Sequence, residues 1–301
     1  MKCGVNLMVW TTHVGLQHNA LFSRIKDYGF DGVEFFLSPD EPADISSIKG
    51  TLDGFGLDRT MCSVLPREAN LVSADASVRT RGVQYLTRCL ERTAEFGAKL
   101  ICGPIYAGLG VMTGSRRTDQ EWEWAVEGLR TAASRGKELG VTLCLEPLNR
   151  FETYFLNTLH DASKLVHDVG ASNVRIHFDT FHSNIEEQQA AKALRAVARD
   201  LGHVHISEND RGIPGSGHVD WRGVLLVLKE VGYEGWLTIE SFADPEPELA
   251  AAAAIWRDLA PSGDELARQG LNFIKNLSKE LGINLGSVPD LPHPKMNPKH
   301  D

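Results

Sequence analysis

The stretch that decides the fold is "GVTLCLEPLNRFETYFLNTLHDA", residues 140–162. Its apolar run 141–145 is typical of a buried β-strand, yet the run ends directly in the carboxylate of Glu146. A buried charge without a partner costs several kcal/mol, so a strand that ends in this way needs something to compensate the charge. The polar segment 149–152 follows at once. The pattern predicts a strand whose carboxyl end carries functional side chains.

Strand-like runs recur along the chain, and amphipathic segments of helical length separate them. Several of these segments end in a glycine directly before the next apolar run, which is typical of a helix C-terminus followed by a short loop. Eight such units without a break in composition predict the α/β class and a single (β/α)8 TIM barrel rather than a doubly wound sheet. The predicted strands are 3–10, 32–37, 57–65, 98–105, 141–148, 174–182, 203–210 and 235–242.

The barrel is predicted to occupy residues 1–285 as one catalytic domain, with one or two extra helices after the eighth strand. The remaining segment 286–301, "GSVPDLPHPKMNPKHD", is polar and rich in proline. Such a composition favours a tail that is poorly ordered or lies against a neighbouring subunit.

The overall composition argues against several classes of protein. With 42% hydrophobic and 24% charged residues, the chain has the balance of a soluble globular protein with a sizeable core. Its net charge of −9 and its scattered basic residues argue against nucleic-acid binding. The longest apolar run is far shorter than the roughly 20 residues that cross a bilayer, and the N-terminal apolar segment is too short for a secretory signal. We therefore expect a cytoplasmic protein without a membrane partner.

The five cysteines form an odd, scattered set without a CxxC pair. Most of them lie in strand-like runs, where cysteine acts as a small hydrophobic residue. This usage indicates a reducing compartment and argues against a disulfide framework or a thiolate zinc site.

The last four strands carry polar residues where a buried strand should be apolar. Functional side chains of a barrel sit at the carboxyl ends of its strands, and successive residues of a strand alternate between lumen and helix layer. The apolar residues of strands six to eight share one parity, and the polar residues share the other. Four side chains, each about one βα unit apart, are therefore directed at one mouth, namely Glu146, Asp179, His205 and Glu240.

Three carboxylates and one imidazole in a low-dielectric cavity would repel one another strongly unless a cation compensated them. Oxygen ligands with one imidazole suit Mn²⁺, with Co²⁺ or Mg²⁺ as alternatives. Taken singly, each residue could be a helix cap, a surface carboxylate or a satisfied core histidine. Their matching depth on four successive strands favours a metal site with one ion per subunit, and no second ligand cluster is apparent in the sequence.

Three further polar residues are expected beside the mouth: Glu152, His182 and Arg211. From the sequence pattern alone, each has an equally ordinary alternative. Glu152 could begin a helix, His182 could cap one, and Arg211 could lie in a surface loop rich in glycine and proline.

The longest ordered motifs around these residues carry a family resemblance. They are "LEPLNRFE" (145–152), "HFDTFHSNIEE" (177–187), "GHVHISENDRGIPGSGHVDW" (202–221) and "LKEVGYEGWLTIESF" (228–242). With them the chain resembles the D-tagatose 3-epimerase family of ketose 3-epimerases, within the xylose-isomerase-like barrels, from strand one to about residue 282. The segment "YAGLGVMTGSRR" (106–117) departs from the pattern of some relatives and leaves the preferred sugar open.

The resemblance implies a role for each residue at the mouth. The family's metal ligands match Glu146, Asp179, His205 and Glu240, and its contacts to the substrate's C1–C3 oxygens match Glu152, His182 and Arg211. It also implies homodimers or homotetramers with Mn²⁺ or Co²⁺.

The expected activity is inversion at C3 of free ketohexoses and ketopentoses, such as D-tagatose, D-psicose, D-fructose or L-ribulose. In this mechanism Glu146 and Glu240 remove and return the C3 proton on opposite faces, through a cis-enediolate.

Three alternatives belong to other classes. An aldose–ketose isomerase or a sugar dehydratase could use the same metal barrel, although xylose isomerase itself needs a second metal. A phosphodiesterase of the endonuclease IV type needs a trinuclear cluster and a DNA-binding surface, which the net charge of −9 opposes. A barrel that binds sugar without catalysis would have no reason to keep all four ligands.

Overall fold

The polypeptide forms a closed barrel of eight parallel strands in sequence order, in which the last strand pairs with the first. The structure, a computed structural model, describes residues 1–40, 44–243 and 245–286. The prediction of a (β/α)8 barrel is therefore confirmed. The strands are β1 Lys2–Asn6, β2 Gly32–Phe36, β3 Asp58–Cys62, β4 Leu100–Gly103, β5 Thr142–Leu145, β6 Val174–Asp179, β7 Leu201–Ile206 and β8 Trp236–Ile239.

Helices surround the barrel, and side-chain caps determine where many of them begin. Before α4, for example, Thr118 and Glu121 form a reciprocal capping box, and the helix ends at the left-handed Gly140. The described helices are α1 Asn19–Tyr28, α2 Ile45–Phe55, α3 Ala76–Glu95, α4 Asp119–Leu139, α5 Leu159–Val169, α6 Thr180–Glu186, α7 Ala190–Val197, α8 Trp221–Glu230, α9 Pro247–Ala253 and α10 Gly263–Glu280.

The two helices after the last strand, α9 and α10, confirm the expected C-terminal addition. Most of the predicted tail, residues 287–301, lies outside the described residues. Within the described ranges, none of the helices combines the length and the apolar character needed to span a bilayer.

The strands end earlier than the sequence predicted, and β6 shows the physical reason. The predicted strand 174–182 ends at Asp179, because the Oδ1 atom of Asp179 accepts hydrogen bonds from the backbone N–H groups of Phe181 and His182, at 2.6 and 3.2 Å. These bonds cap α6 and begin it at the next residue, Thr180. His182 therefore lies in the first turn of a helix rather than on a strand.

The barrel contains two different cores. Apolar side chains fill the layer between sheet and helices, with Val33, Ile176 and Val204 almost fully buried. The lumen, by contrast, contains the buried polar side chains of Glu34 and His203. A barrel interior is usually packed with branched aliphatic residues, so these polar groups indicate that the lumen has another role.

Gly103, at the end of β4, provides a direct test of how closely β3 and β4 approach each other. Its φ of +120° is unfavourable for other residues, and a Cβ atom there would lie 2.2 Å from the carbonyl oxygen of Ser63. We expect Gly103→Ala to lower the free energy of unfolding by about 2–4 kcal/mol. Gly140 is the matched control, because its φ is +69° but its Cβ would meet open space. Gly140→Ala should cost only about 1–2 kcal/mol in urea titrations, and equal losses for the two variants would contradict the steric argument.

Candidate active site and metal centre

Four side chains from the last four strands converge at the carboxyl end of the barrel. Glu146, Asp179, His205 and Glu240 each place one potential ligand atom within 4.8 Å of the others. All four are buried, and Glu240 is the most exposed at only 7%. The sequence predicted these residues to share one mouth, and the structure brings them together there.

The backbone around Glu146 and Glu240 is held by neighbouring strands. The N–H group of Glu146 donates to the carbonyl of Gly103 at 3.1 Å, and the Tyr106 hydroxyl donates to the carbonyl of Glu146 at 2.9 Å. On the other side, the N–H of Glu240 donates to the Ile206 carbonyl at 3.2 Å, and its own carbonyl accepts from the Ser207 hydroxyl at 2.9 Å. The barrel's hydrogen bonds therefore fix where both glutamates leave their strands.

The three carboxylates do not share one protonation behaviour. Burial, together with the charges of Glu240 and Asp179, raises the pKa of Glu146 well above its usual value. Burial also opposes the ionisation of Asp179 and Glu240, but His205 and the guanidinium of Arg211 outweigh it and lower the pKa of both groups. Without a cation, Glu146 is thus the carboxyl group that holds a proton most readily.

The donor set fits a divalent cation. Among the described residues, Glu146 Oε1 and His205 Nδ1 are buried without a hydrogen-bond partner. Unsatisfied buried polar atoms are costly, and a cation between them would satisfy both. Three carboxylates with one imidazole form a ligand set suited to Mn²⁺, Co²⁺ or Mg²⁺.

Arg211 lies against this cluster. Its Nη1 atom donates a hydrogen bond to Glu240 Oε2, and its Nη2 atom lies 3.2 Å from Nε2 of His182. The guanidinium also stacks over the ring of Phe181, 4.0 Å from its centroid. Arg211 is buried, so the alternative of a position in a surface loop does not apply to it.

The loop that carries Arg211 is organised by a residue that the sequence argument missed. The buried carboxylate of Glu208 accepts hydrogen bonds from the N–H groups of Gly215 and Val219, at 2.7 and 3.1 Å, and from the indole N–H of Trp221 at 2.9 Å. Arg211 itself has a positive φ of 63°, an unfavourable conformation for its residue type. The surrounding bonds hold it there, including one from the Ser241 hydroxyl to the Arg211 carbonyl.

Glu152 is connected to His182 through Asn149, a second residue without a predicted role. The Nδ2 atom of Asn149 donates to Glu152 Oε1 at 2.7 Å, and the N–H of Asn149 donates to His182 Nδ1 at 3.1 Å. Nε2 of His182 lies 3.6 Å from Glu146 Oε1. Glu152 thus follows β5 and His182 follows β6, and neither residue begins or caps a helix.

A layer of polar residues lies beneath the cluster, and the expectation of a single group of potential ligands is wrong. Cys102, His177, His203 and His205 form a second group, whose potential ligand atoms also lie within 4.8 Å of one another. Glu34 on β2 contacts this group, with Oε1 2.6 Å from His205 Nε2 and Oε2 2.9 Å from His203 Nε2. The signal that could have revealed Glu34 is a carboxylate within the apolar run "GVEFFL" (32–37).

Comparisons with known proteins place the chain among sugar-modifying barrels. The family model described as "Xylose isomerase-like TIM barrel" matches residues 22–277. An L-ribulose 3-epimerase of Mesorhizobium japonicum is 33% identical over 276 residues, which cover 91% of this chain and 93% of that protein. A D-psicose 3-epimerase of Agrobacterium fabrum is 31% identical over 283 residues, covering 91% and 98%, respectively. The solved structure of an L-ribulose 3-epimerase superimposes with a TM-score of 0.88 at 30% identity, covering 93% of this chain and 97% of that one.

These matches extend over nearly the whole barrel and nearly the whole of each relative. They agree with the family resemblance of the motifs that surround Glu146, Asp179, His205 and Glu240. The activity class that follows is that of an isomerase, a carbohydrate epimerase. The chain belongs to the xylose isomerase-like TIM barrel family and, within it, to the ketose 3-epimerases.

Proposed function

We propose that this protein is a metal-dependent ketose 3-epimerase that inverts C3 of free ketohexoses and ketopentoses. One observation carries the proposal: a buried set of three carboxylates and one imidazole, with two unsatisfied ligand atoms, at the mouth of a ketose 3-epimerase barrel. D-psicose, D-fructose, D-tagatose and L-ribulose are the candidate substrates.

Glu146, Asp179, His205 and Glu240 would hold one divalent cation per subunit, Mn²⁺ first, with Co²⁺ or Mg²⁺ as alternatives. When bound, such a cation would neutralise the carboxylates and stabilise negative charge on the substrate's oxygens. Burial and the charges of Glu240 and Asp179 hold the proton on Glu146 here, so this carboxyl group would ionise once the negative charge around it is compensated.

The chemistry at C3 is assigned to Glu146 and Glu240. The C3 proton of a ketose lies next to the C2 carbonyl, so its removal gives a cis-enediolate whose charge is delocalised. The two glutamates come from β5 and β8, which two other strands separate. One glutamate removes the proton and the other returns one to the opposite face, and the direction of reaction decides which does which.

His182, Arg211 and Glu152 are assigned to the substrate's C1–C3 oxygens. The N–H of Asn149 donates to Nδ1 of His182, and this bond leaves Nε2 to carry the ring proton toward the site. Burial lowers the pKa of His182, which favours the neutral ring as a hydrogen-bond donor. Arg211 would stabilise negative charge at O2, and Asn149 would hold Glu152 at the hydroxyl end of the sugar.

We infer a homodimer or homotetramer located in the cytoplasm. Phe151 and Trp256 each have 76% of their surface exposed, which supports coverage by a second subunit. An aldose–ketose isomerase or a sugar dehydratase remains the alternative on the same barrel, and the product analysis below separates these activities.

Removal of the metal should abolish turnover. We expect dialysis against EDTA to abolish epimerisation of D-psicose and added Mn²⁺ to restore it. The metal should also raise the melting temperature, because binding to the folded state alone stabilises it. Chromatographic assays and thermal denaturation at several Mn²⁺ concentrations measure both effects, and full activity of a metal-free preparation would refute the assignment.

Glu146→Gln and Glu240→Gln should each lower kcat by roughly 10²–10⁴-fold or more, because each removes an acid–base group. Exchange of the C3 proton with deuterated solvent gives an independent measure of each half-reaction. The exposed Glu230, which pairs with Arg195 on the surface, is the control, and Glu230→Gln should retain wild-type turnover. Near-wild-type turnover of either site variant at saturating Mn²⁺ would rule out the two-base scheme.

Incubation of the Mn²⁺ enzyme with D-fructose, D-tagatose, D-psicose or L-ribulose should yield only the C3 epimer of the sugar supplied. Chromatography against standards separates C3 epimers from aldoses and dehydrated products. Accumulation of an aldose or of a dehydrated sugar would instead establish the alternative activity.

A further inference from the structure

The feature that the proposed mechanism leaves unused is Glu34 in the barrel lumen. Its side chain is completely buried, and polar groups from several strands point at it. The amide of Asn6 donates to Oε1 at 3.0 Å, and the hydroxyl of Thr60 donates to Oε2 at 2.8 Å. The Cys102 thiol donates to Oε2 at 3.5 Å. A buried carboxylate with this many donors has a defined position and orientation.

The shortest of these contacts joins Glu34 to a proposed metal ligand. Oε1 of Glu34 lies 2.6 Å from Nε2 of His205. A carboxylate accepts hydrogen bonds, so this contact requires the proton of the ring to be on Nε2. The opposite nitrogen, Nδ1, faces the cluster, 3.3 Å from Glu240 Oε1 and 3.6 Å from Asp179 Oδ2, and its lone pair would be available to a cation bound there.

Packing of the neighbouring rings holds His205 in this orientation. The ring of His177 meets it edge to face, with 4.0 Å between centroids, and the ring of His203 packs at 5.1 Å. His203 Nε2 lies 2.9 Å from the other carboxylate oxygen of Glu34. One carboxylate therefore contacts both histidines of β7.

We propose that Glu34 is a positioning residue that fixes the proton of His205 on Nε2 and thereby makes Nδ1 the metal ligand. The inference rests on the proposed metal site and extends it to β2, across the barrel from the ligands. Both oxygens of Glu34 are already occupied by donors, which argues against Glu34 as the ligand of a second ion. In metal sites, partners that orient a ligating histidine commonly contribute about 10–100-fold to metal affinity.

The test compares Glu34→Gln with Asp31→Asn. The Gln variant keeps the shape but replaces one accepting oxygen with an NH₂ group, so the donors aimed at Glu34 can no longer all be satisfied. Asp31 is the control carboxylate, because it directly precedes the same strand and accepts a hydrogen bond from the N–H of Cys3 at 2.8 Å. Competition with a fluorescent chelator measures the affinity for Mn²⁺, and circular dichroism measures folding.

We expect Glu34→Gln to weaken Mn²⁺ binding by about 10–100-fold and Asp31→Asn to leave it unchanged. If Glu34 had a role in stability alone, Glu34→Gln would lower the melting temperature without changing the affinity for Mn²⁺. Glu34→Asp provides a second test if the Gln variant does not fold, because it keeps the charge but shortens the reach to His205. Wild-type affinity in whichever of these two variants folds would overturn the proposal.

Two measurements on the wild-type protein complete the test. In ¹⁵N-histidine-labelled protein loaded with Zn²⁺, the ring of His205 should carry its proton on Nε2, and a proton on Nδ1 would overturn the proposal. Elemental analysis should find one Mn²⁺ per chain, whereas two would make the lower layer a metal site and overturn it as well. A wild-type chain that binds no Mn²⁺ would refute the proposed function itself, whereas equal affinities of wild type and Glu34→Gln would refute only the role of Glu34.

Discussion

The mutual repulsion of three carboxylates in one buried volume is the constraint around which this barrel is organised. Glu146, Asp179 and Glu240 stand at the carboxyl ends of β5, β6 and β8 of one closed sheet. The sheet therefore holds the three carboxylates close together. Arg211 supplies one positive charge from above, and it holds an unfavourable backbone conformation to do so. With all three carboxylates ionised, Arg211 and a protonated His205 would still leave one negative charge unbalanced, and this imbalance is the physical reason for placing a divalent cation there.

The groups around the cluster form two supporting layers that differ in purpose. Above the cluster, Glu208 holds the loop of Arg211, and Asn149 joins Glu152 to His182. These contacts position groups that would meet a sugar. Below the cluster, Glu34 occupies space that most barrels fill with aliphatic side chains, and it contacts the far side of His205. The polar lumen is therefore best understood as support for the centre above it.

Much of the fold could be predicted because its determinants are local. The alternation of short apolar runs with amphipathic segments specifies βα units, and eight of them close into a barrel. Element ends were harder, since Asp179 ends β6 through its own hydrogen bonds to the next turn, and an apolar pattern does not show such a bond. The cluster of potential ligands was accessible from the sequence because the parity and spacing of strand residues place them at one depth.

The sequence by itself thus determined the barrel and the four strand ends that meet at its mouth, because both follow from periodicity along one chain. Only the tertiary structure decided what those ends touch. Glu34 and His205 are 171 residues apart and Arg211 and Glu240 are 29 apart, and no local pattern relates their orientations. Closing the barrel brings these side chains into one low-dielectric volume, where hydrogen-bond geometry and charge decide which atom of each faces the centre.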